Sequence, residues 1–218
     1  MHVDFIDLTI PIRNGTPSFP GEPGGYVLPF AQFAAQGWVS HQLVLYTHLG
    51  THLDAPAHFL SGGAGVEEWP IAQLIGPAMV VRLRAEPRCG EVDFDDFVWP
   101  RPLVPGDRVL LQTGWGNRWG SVGYFAAFPS LALALVQRLV ASGVVLVGMD
   151  TPTPHEHEPK AVHEALLGNG VAVLEGLVRL DEVPGSFGEI ICLPLPLTGL
   201  DGAPCRVVFR PYAEEGRR

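Results

Sequence analysis

Short apolar runs rich in β-branched residues recur along the chain at Gln42–Tyr46, Met79–Leu83, Arg108–Gln112, Val144–Met149, Val171–Leu174, Ile190–Leu193 and Arg206–Phe209, each bounded by Gly, Pro, Asp or Asn. Runs of this length and punctuation read as strands, and their number predicts a mixed sheet or barrel. Helical periodicity is sparser. Leu131, Leu135, Leu139 and Val140 share one helical face after Ser130, which is suited to cap a helix N-terminus, and Gly143 stops the pattern. A second helix is predicted from Pro159 through Leu167, ending at Gly168-Asn169-Gly170 and placing His163 at mid-helix. Neither a repeat nor a long linker interrupts the pattern, so residues 1–218 are read as one domain with Glu214–Arg218 as a loose tail.

Composition narrows the classes. Apolar residues make up 47% and charged residues 17% of the 218, which excludes a disordered chain and suffices for one sizeable core. The net charge is −9, from 14 Lys and Arg against 23 Asp and Glu, and the bases are scattered, so nucleic acid is not an expected partner. The first twenty residues hold two Asp and no apolar core flanked by bases, so no secretory signal is read. Leu131–Met149, the most apolar stretch, is broken by Gln137, Arg138, Ser142 and Gly143, which excludes it as a membrane span. Three widely spaced cysteines, Cys89, Cys192 and Cys205, form neither a disulfide framework nor a C-x-x-C pair, and a reducing cytoplasm is the expected location.

The chemistry concentrates in one segment, His48-Leu-Gly-Thr-His52-Leu-Asp54-Ala-Pro-Ala-His58. In an extended chain these four side chains share parity and face one side, although Gly50 and Pro56 bend the trace. Three imidazoles and a carboxylate are costly to bury without partners, whereas a divalent cation satisfies them together and leaves coordination positions open for water. A metal site with an open position points to catalysis.

This segment resembles the H-x-G-T-H-x-D-x-P-x-H signature of the cyclase family of metal-dependent hydrolases, whose best-known members are bacterial kynurenine formamidases. Asp7-Leu-Thr-Ile-Pro11 with Pro20-Gly-Glu-Pro23 is similar to the family's opening, Gly148-Met-Asp-Thr-Pro152 to a G-x-D-T-P strand end, and Leu197–Arg206 to its closing segment. The resemblance implies that His48, His52 and Asp54 bind metal and that His58 is a catalytic acid–base group beside it. It further implies that His163 and Glu175, in a helix followed by a strand, complete the ligand set. Zinc, as one or two ions, is the implied cofactor, with manganese as the alternative. The implied fold is an α/β, strand-rich mixed domain, a swivelling β/β/α barrel.

The implied reaction is hydrolysis of a small amide through a metal-activated water, with an aryl formamide such as N-formylkynurenine as the leading substrate. A lactam or cyclic imide of the isatin type is the alternative, followed by polyketide cyclisation and by a non-catalytic metal-binding module. Family relatives imply a homodimer or homotetramer; no membrane partner is expected. One departure lies after Asp150, where Thr151-Pro-Thr-Pro-His155-Glu-His157-Glu158 replaces the usual Ser and Asp. His155 and His157 there either line the pocket or sit in a solvated loop. Asp150 either orients a ligand histidine or caps the following turn. Trp115 and Trp119 are equally compatible with a flat pocket wall and with core packing, and Trp38 and Trp69 flank the metal motif without a spacing rule to place them.

Overall fold

The computed structural model describes residues 5–213, so the tail expected at Glu214–Arg218 lies outside the described residues. Seven strands form a closed barrel: β1 (His52–Asp54), β2 (Ile75–Leu83), β3 (Arg108–Gln112), β4 (Leu146–Met149), β5 (Ala172–Glu175), β6 (Phe187–Pro194) and β7 (Gly202–Pro211). Around the ring the order is β7, β6, β2, β3, β4, β5, β1, with β1 pairing back onto β7. Strands β2 to β5 run parallel to their neighbours among themselves, and every pairing that involves β1, β6 or β7 is antiparallel. The single-domain α/β barrel agrees with the expected fold class.

Two helices serve the parallel half. One, α1 (Leu133–Ala141), precedes β4, and the other, α2 (Pro159–Leu167), precedes β5. As predicted, α2 starts at a proline, whose missing N–H costs nothing in a first turn, and carries His163 at its middle. The start of α1 differs from the sequence reading. Pro129–Leu131 forms a short strand paired with Gly90–Val92, so the helix begins after Ala132, and Ser130 instead accepts the Glu156 N–H at 3.0 Å. Backbone pairing to a distant segment took Ser130 and Leu131 out of the helix, while Leu135 and Leu139 still bury the predicted face.

The run predicted at Gln42–Tyr46 is a strand, Ser40–Val44, but it lies outside the barrel in a hairpin with Tyr26–Ala31. That hairpin exposes Tyr26, Leu28, Phe30, Trp38 and Leu43. The remaining core falls into two clusters. A large one fills the barrel and the helix–sheet contact; a small one groups Trp115, Tyr124 and Phe128 with Phe19, Trp119 and Phe125. Among the described residues no helix is long and apolar enough to cross a membrane.

Candidate metal centre

The short strand β1 carries the centre because of its pleat. Leu53 pairs with Leu174 on one side and Ala203 on the other, and these three side chains enter the main core. His52 and Asp54 therefore project from the opposite face, and the register sets Glu175 directly beside His52. Helix α2 packs on β5 and lays His163 over this face, where the Phe59 ring stacks on the imidazole with 4.3 Å between centroids. The bends at Gly50, with φ of +67°, and at the 3-10 turn Pro56–His58 bring His48 and His58 to the same place. The extended-chain parity expected for all four motif residues thus applies only to His52 and Asp54; turns position the other two.

All six residues expected at the site converge. His163 Nε2 lies 3.0 Å from Glu175 Oε1 and 3.2 Å from Asp54 Oδ2; His52 Nε2 lies 3.2 Å from Glu175 Oε2 and 3.4 Å from Asp54 Oδ1. His48 Nδ1 is 2.9 Å from Asp54 Oδ1, and the His58 ring stacks on His48 at 3.9 Å between centroids. Asp54, His163, His52 and Glu175 are no more than 4% exposed.

The outer nitrogens fix the tautomers. His163 Nδ1 donates to the Pro159 carbonyl at 2.7 Å and His52 Nδ1 to the Gly50 carbonyl at 3.0 Å. In the neutral rings this leaves both Nε2 lone pairs aimed at carboxylate oxygens, an arrangement that is repulsive unless a proton or a cation lies between them. His52 Nε2 and Asp54 Oδ2 are buried and make no hydrogen bond. Without a metal the centre answers by protonation. Burial disfavours the charged His163, yet Asp54 and Glu175 outweigh it and push the imidazole up to about 10; His52 is raised by the same pair. Burial would raise Asp54, but the histidines that surround it hold its carboxyl well below the ordinary range. Two groups of atoms lie close enough together to hold an ion, His48–Asp54–His58 and His52–Asp54–Glu175, sharing Asp54.

Three further residues outside the expected set support the centre, of which Asp201 was not singled out by sequence reasoning. Asp201 Oδ2 lies 2.8 Å from His48 Nε2 and 3.6 Å from His58 Nδ1, and its carbonyl accepts the Ala55 N–H at 2.9 Å. Its signal was the closing segment Leu197–Arg206, which carries the resemblance but whose only acid was not taken for a site residue. Trp69 donates from Nε1 to the Asp54 carbonyl at 2.8 Å, anchoring β1 from beneath. Thr51 donates to the Gly176 carbonyl at 2.6 Å and accepts the Ile10 N–H, tying the motif to the end of β5.

A pocket of about 210 Å³ opens over the centre, walled by Phe19, Trp119, Tyr124 and Phe125. Trp119 is thus a wall, whereas Trp115 is buried with its Nε1 donating to the Tyr124 carbonyl, and Trp38 is exposed on the hairpin. His155 lines the pocket and His157 faces solvent. Asp150 accepts from the Thr113 and Gly114 N–H groups and the Thr113 hydroxyl, so it caps the turn after β3 and orients no histidine.

Fold and centre together define a single-domain α/β barrel protein with a buried histidine–carboxylate cluster under an aromatic pocket. The chain belongs to the cyclase family: the family model described as a putative cyclase matches residues 6–156. It is similar to a kynurenine formamidase of Paracidovorax citrulli, 36% identical over 217 residues and covering 95% of this chain and 96% of that protein. A structure described as a predicted metal-dependent hydrolase from Bacillus stearothermophilus superposes with a TM-score of 0.79 at 27% identity, covering 94% of this chain and 97% of that one. Isatin hydrolase A from Labrenzia aggregata, at 24% identity, shares the fold with a TM-score of 0.81 over 94% of this chain and 93% of its own.

Proposed function

We propose that this metal-dependent hydrolase of the cyclase family cleaves the C–N bond of a small aryl formamide, with N-formylkynurenine the leading substrate in view of its similarity to proteins named kynurenine formamidase. The carrying observation is the pair of Nε2 lone pairs, on His52 and His163, that face the carboxylates of Asp54 and Glu175 inside a closed pocket floor. Donor chemistry and the unpartnered His52 Nε2 and Asp54 Oδ2 fit a divalent cation. His48, His52, Asp54, His163 and Glu175 would hold it. Two donor groups sharing Asp54 support two ions as readily as one, with zinc first and manganese second. Such an ion, when bound, supplies Lewis acidity and lowers the pKa of water from 15.7 toward about 7.

The chain's own residues do the rest. His58 is the most exposed imidazole of the cluster, and burial together with the neighbouring His48 and His163 holds it below its ordinary 6.5 against the pull of Asp54. It is therefore neutral at working pH and able to take a proton from water and return one to the leaving amine. Asp201 accepts from His48 Nε2, so His48 presents Nδ1 toward Asp54 and the cluster. The aromatic wall stacks on the substrate ring and excludes water from the amide. Apolar side chains on the Tyr26–Ala31 and Ser40–Val44 hairpin support the expected homo-oligomer.

Elemental analysis of protein purified without chelator, with hydrolysis of N-formylkynurenine and isatin assayed before and after metal removal, tests the reading. Bound metal with metal-dependent cleavage of N-formylkynurenine is the expected result; cleavage of isatin alone moves the substrate to the lactam class. No metal and no tight rebinding overturn the centre.

A further inference from the structure

The floor of the pocket is the buried cluster, while its more exposed lining carries acid: Glu22 is exposed and Glu156 is half-buried. Among the described residues no Lys or Arg lines it. Each glutamate is anchored through one oxygen. The Tyr46 hydroxyl donates to Glu22 Oε1 at 3.0 Å and the Ala127 N–H to Glu156 Oε1 at 2.8 Å, while Glu156 Oε2 has the solvent-facing His157 Nε2 at 3.9 Å, beyond hydrogen-bond distance. The wall histidine, His155, is held by hydrogen bonds within its own loop. His155 accepts the N–H groups of His157 and Glu158 at its Nδ1, at 3.2 and 3.0 Å, which puts its one ring proton on Nε2, 3.4 Å from Glu91 Oε1. In the aromatic wall the Tyr124 hydroxyl is buried without a partner. It stays protonated, because burial and then the Asp150 and Glu175 carboxylates push its pKa up, so it is a neutral donor suited to a neutral acceptor.

A substrate that reaches the floor with its amide must leave the rest of itself along this lining. A carboxylate there meets two like charges, no base, and an aromatic wall that strips its water, which is costly on every count. An ammonium group or an uncharged substituent meets none of these penalties, and the ammonium gains the attraction of the Glu22 and Glu156 carboxylates. We infer that the aryl amide this pocket prefers carries no carboxylate: it is uncharged or bears an ammonium group away from the reacting amide. The inference rests on the hydrolase reading above and narrows it, making N-formylkynurenine a poorer substrate than its decarboxylated counterpart.

The test compares kcat/KM of the zinc-loaded full chain for N-formylkynurenine, N-formylkynuramine and 2-formamidoacetophenone, which share the formylated ring and carry respectively a carboxylate with an ammonium, an ammonium alone, and neither. The expected order places the carboxylate-bearing compound last by on the order of tenfold. The isosteric double variant Glu22→Gln/Glu156→Gln, which keeps both anchoring hydrogen bonds, should shrink that gap mainly through KM, as should high salt in the unmodified protein. N-formylkynurenine ranking first, or a gap indifferent to both the double variant and salt, overturns the inference while leaving the hydrolase reading intact. Cleavage of none of the three by metal-loaded protein removes the aryl-formamide reading, and this inference with it.

Discussion

His48 is held by two acids far apart in sequence: its Nδ1 lies 2.9 Å from Asp54 and its Nε2 lies 2.8 Å from Asp201, the residue before the last barrel strand. Because Asp201 also hangs on the Ala55 N–H, strand β7 and the metal motif fix each other's position. Removing the Asp201 carboxylate frees the His48 ring to rotate. Asp201→Ala is expected to weaken metal binding by about 10- to 100-fold, measured by competition with a chromogenic chelator, with little change in the fold.

Asp54 and His58 separate ligand from proton carrier. Asp54 belongs to both donor groups, so Asp54→Ala should purify with almost no metal and should lose the rise in Tm that added zinc gives the parent. His58→Ala should keep its metal content and lose about 10²- to 10⁴-fold in turnover. Since His58 also stands within reach of a cation beside His48 and Asp54, loss of metal from His58→Ala would reassign it as a ligand.

The metal-free protein should have a distinctive stability profile. His52 and His163 are raised by their carboxylates, so their contribution is fully present below the unfolded value near 6.5 and is lost as pH rises toward about 10 for His163. Asp54 and Glu175 are lowered, so theirs is present above the unfolded values of 3.8 and 4.5 and is lost as pH falls toward their folded values. Chelated protein should therefore be most stable between about pH 4.5 and 6.5 as far as this cluster is concerned. Its Tm should decline from pH 7 to 9, a decline that added zinc suppresses because bound histidines are already neutral. Thermal scans across that range with and without chelator check the sign.

Glycine at position 202 is required by proximity. A Cβ there would lie 2.9 Å from His48 Cε1 and 3.0 Å from the Leu53 carbonyl, distances that force the ring or β1 to move. Gly202→Ala should cost about 1–3 kcal/mol of stability, read from urea unfolding, and should lower metal affinity as His48 shifts.

Phe30 is 73% exposed on the hairpin, beside the exposed Leu28 and Trp38. If a second copy covers this face, light scattering should give a multiple of the monomer mass for the parent chain, and Phe30→Asp should reduce it toward the monomer without loss of secondary structure. A parent chain that is monomeric at assay concentration overturns the oligomer reading.

Local sequence pattern determined a good deal. The strands Met79–Leu83, Arg108–Gln112 and Arg206–Phe209 and the helix at Pro159–Leu167 were legible because β-branched runs, a proline start and a glycine stop act within a few residues. The dense spacing of His48, His52, Asp54 and His58 announced a clustered site of the kind a divalent cation would satisfy, since few other partners serve so many buried imidazoles and carboxylates. Tertiary structure alone decided what depends on contacts across the chain. It made Ser130 a strand residue by pairing it with Glu91, and it closed the barrel through three residues of β1, too short to show a period. It placed Asp201 against His48 across 153 positions and turned Asp150 toward a backbone turn rather than a histidine. It sent His155 into the pocket and His157 to solvent, two residues apart in one loop. Spacing carries a cluster of ligands because they sit on one stretch of backbone; the acids that orient them and the charges that line their pocket come from elsewhere, and only the folded chain brings them near.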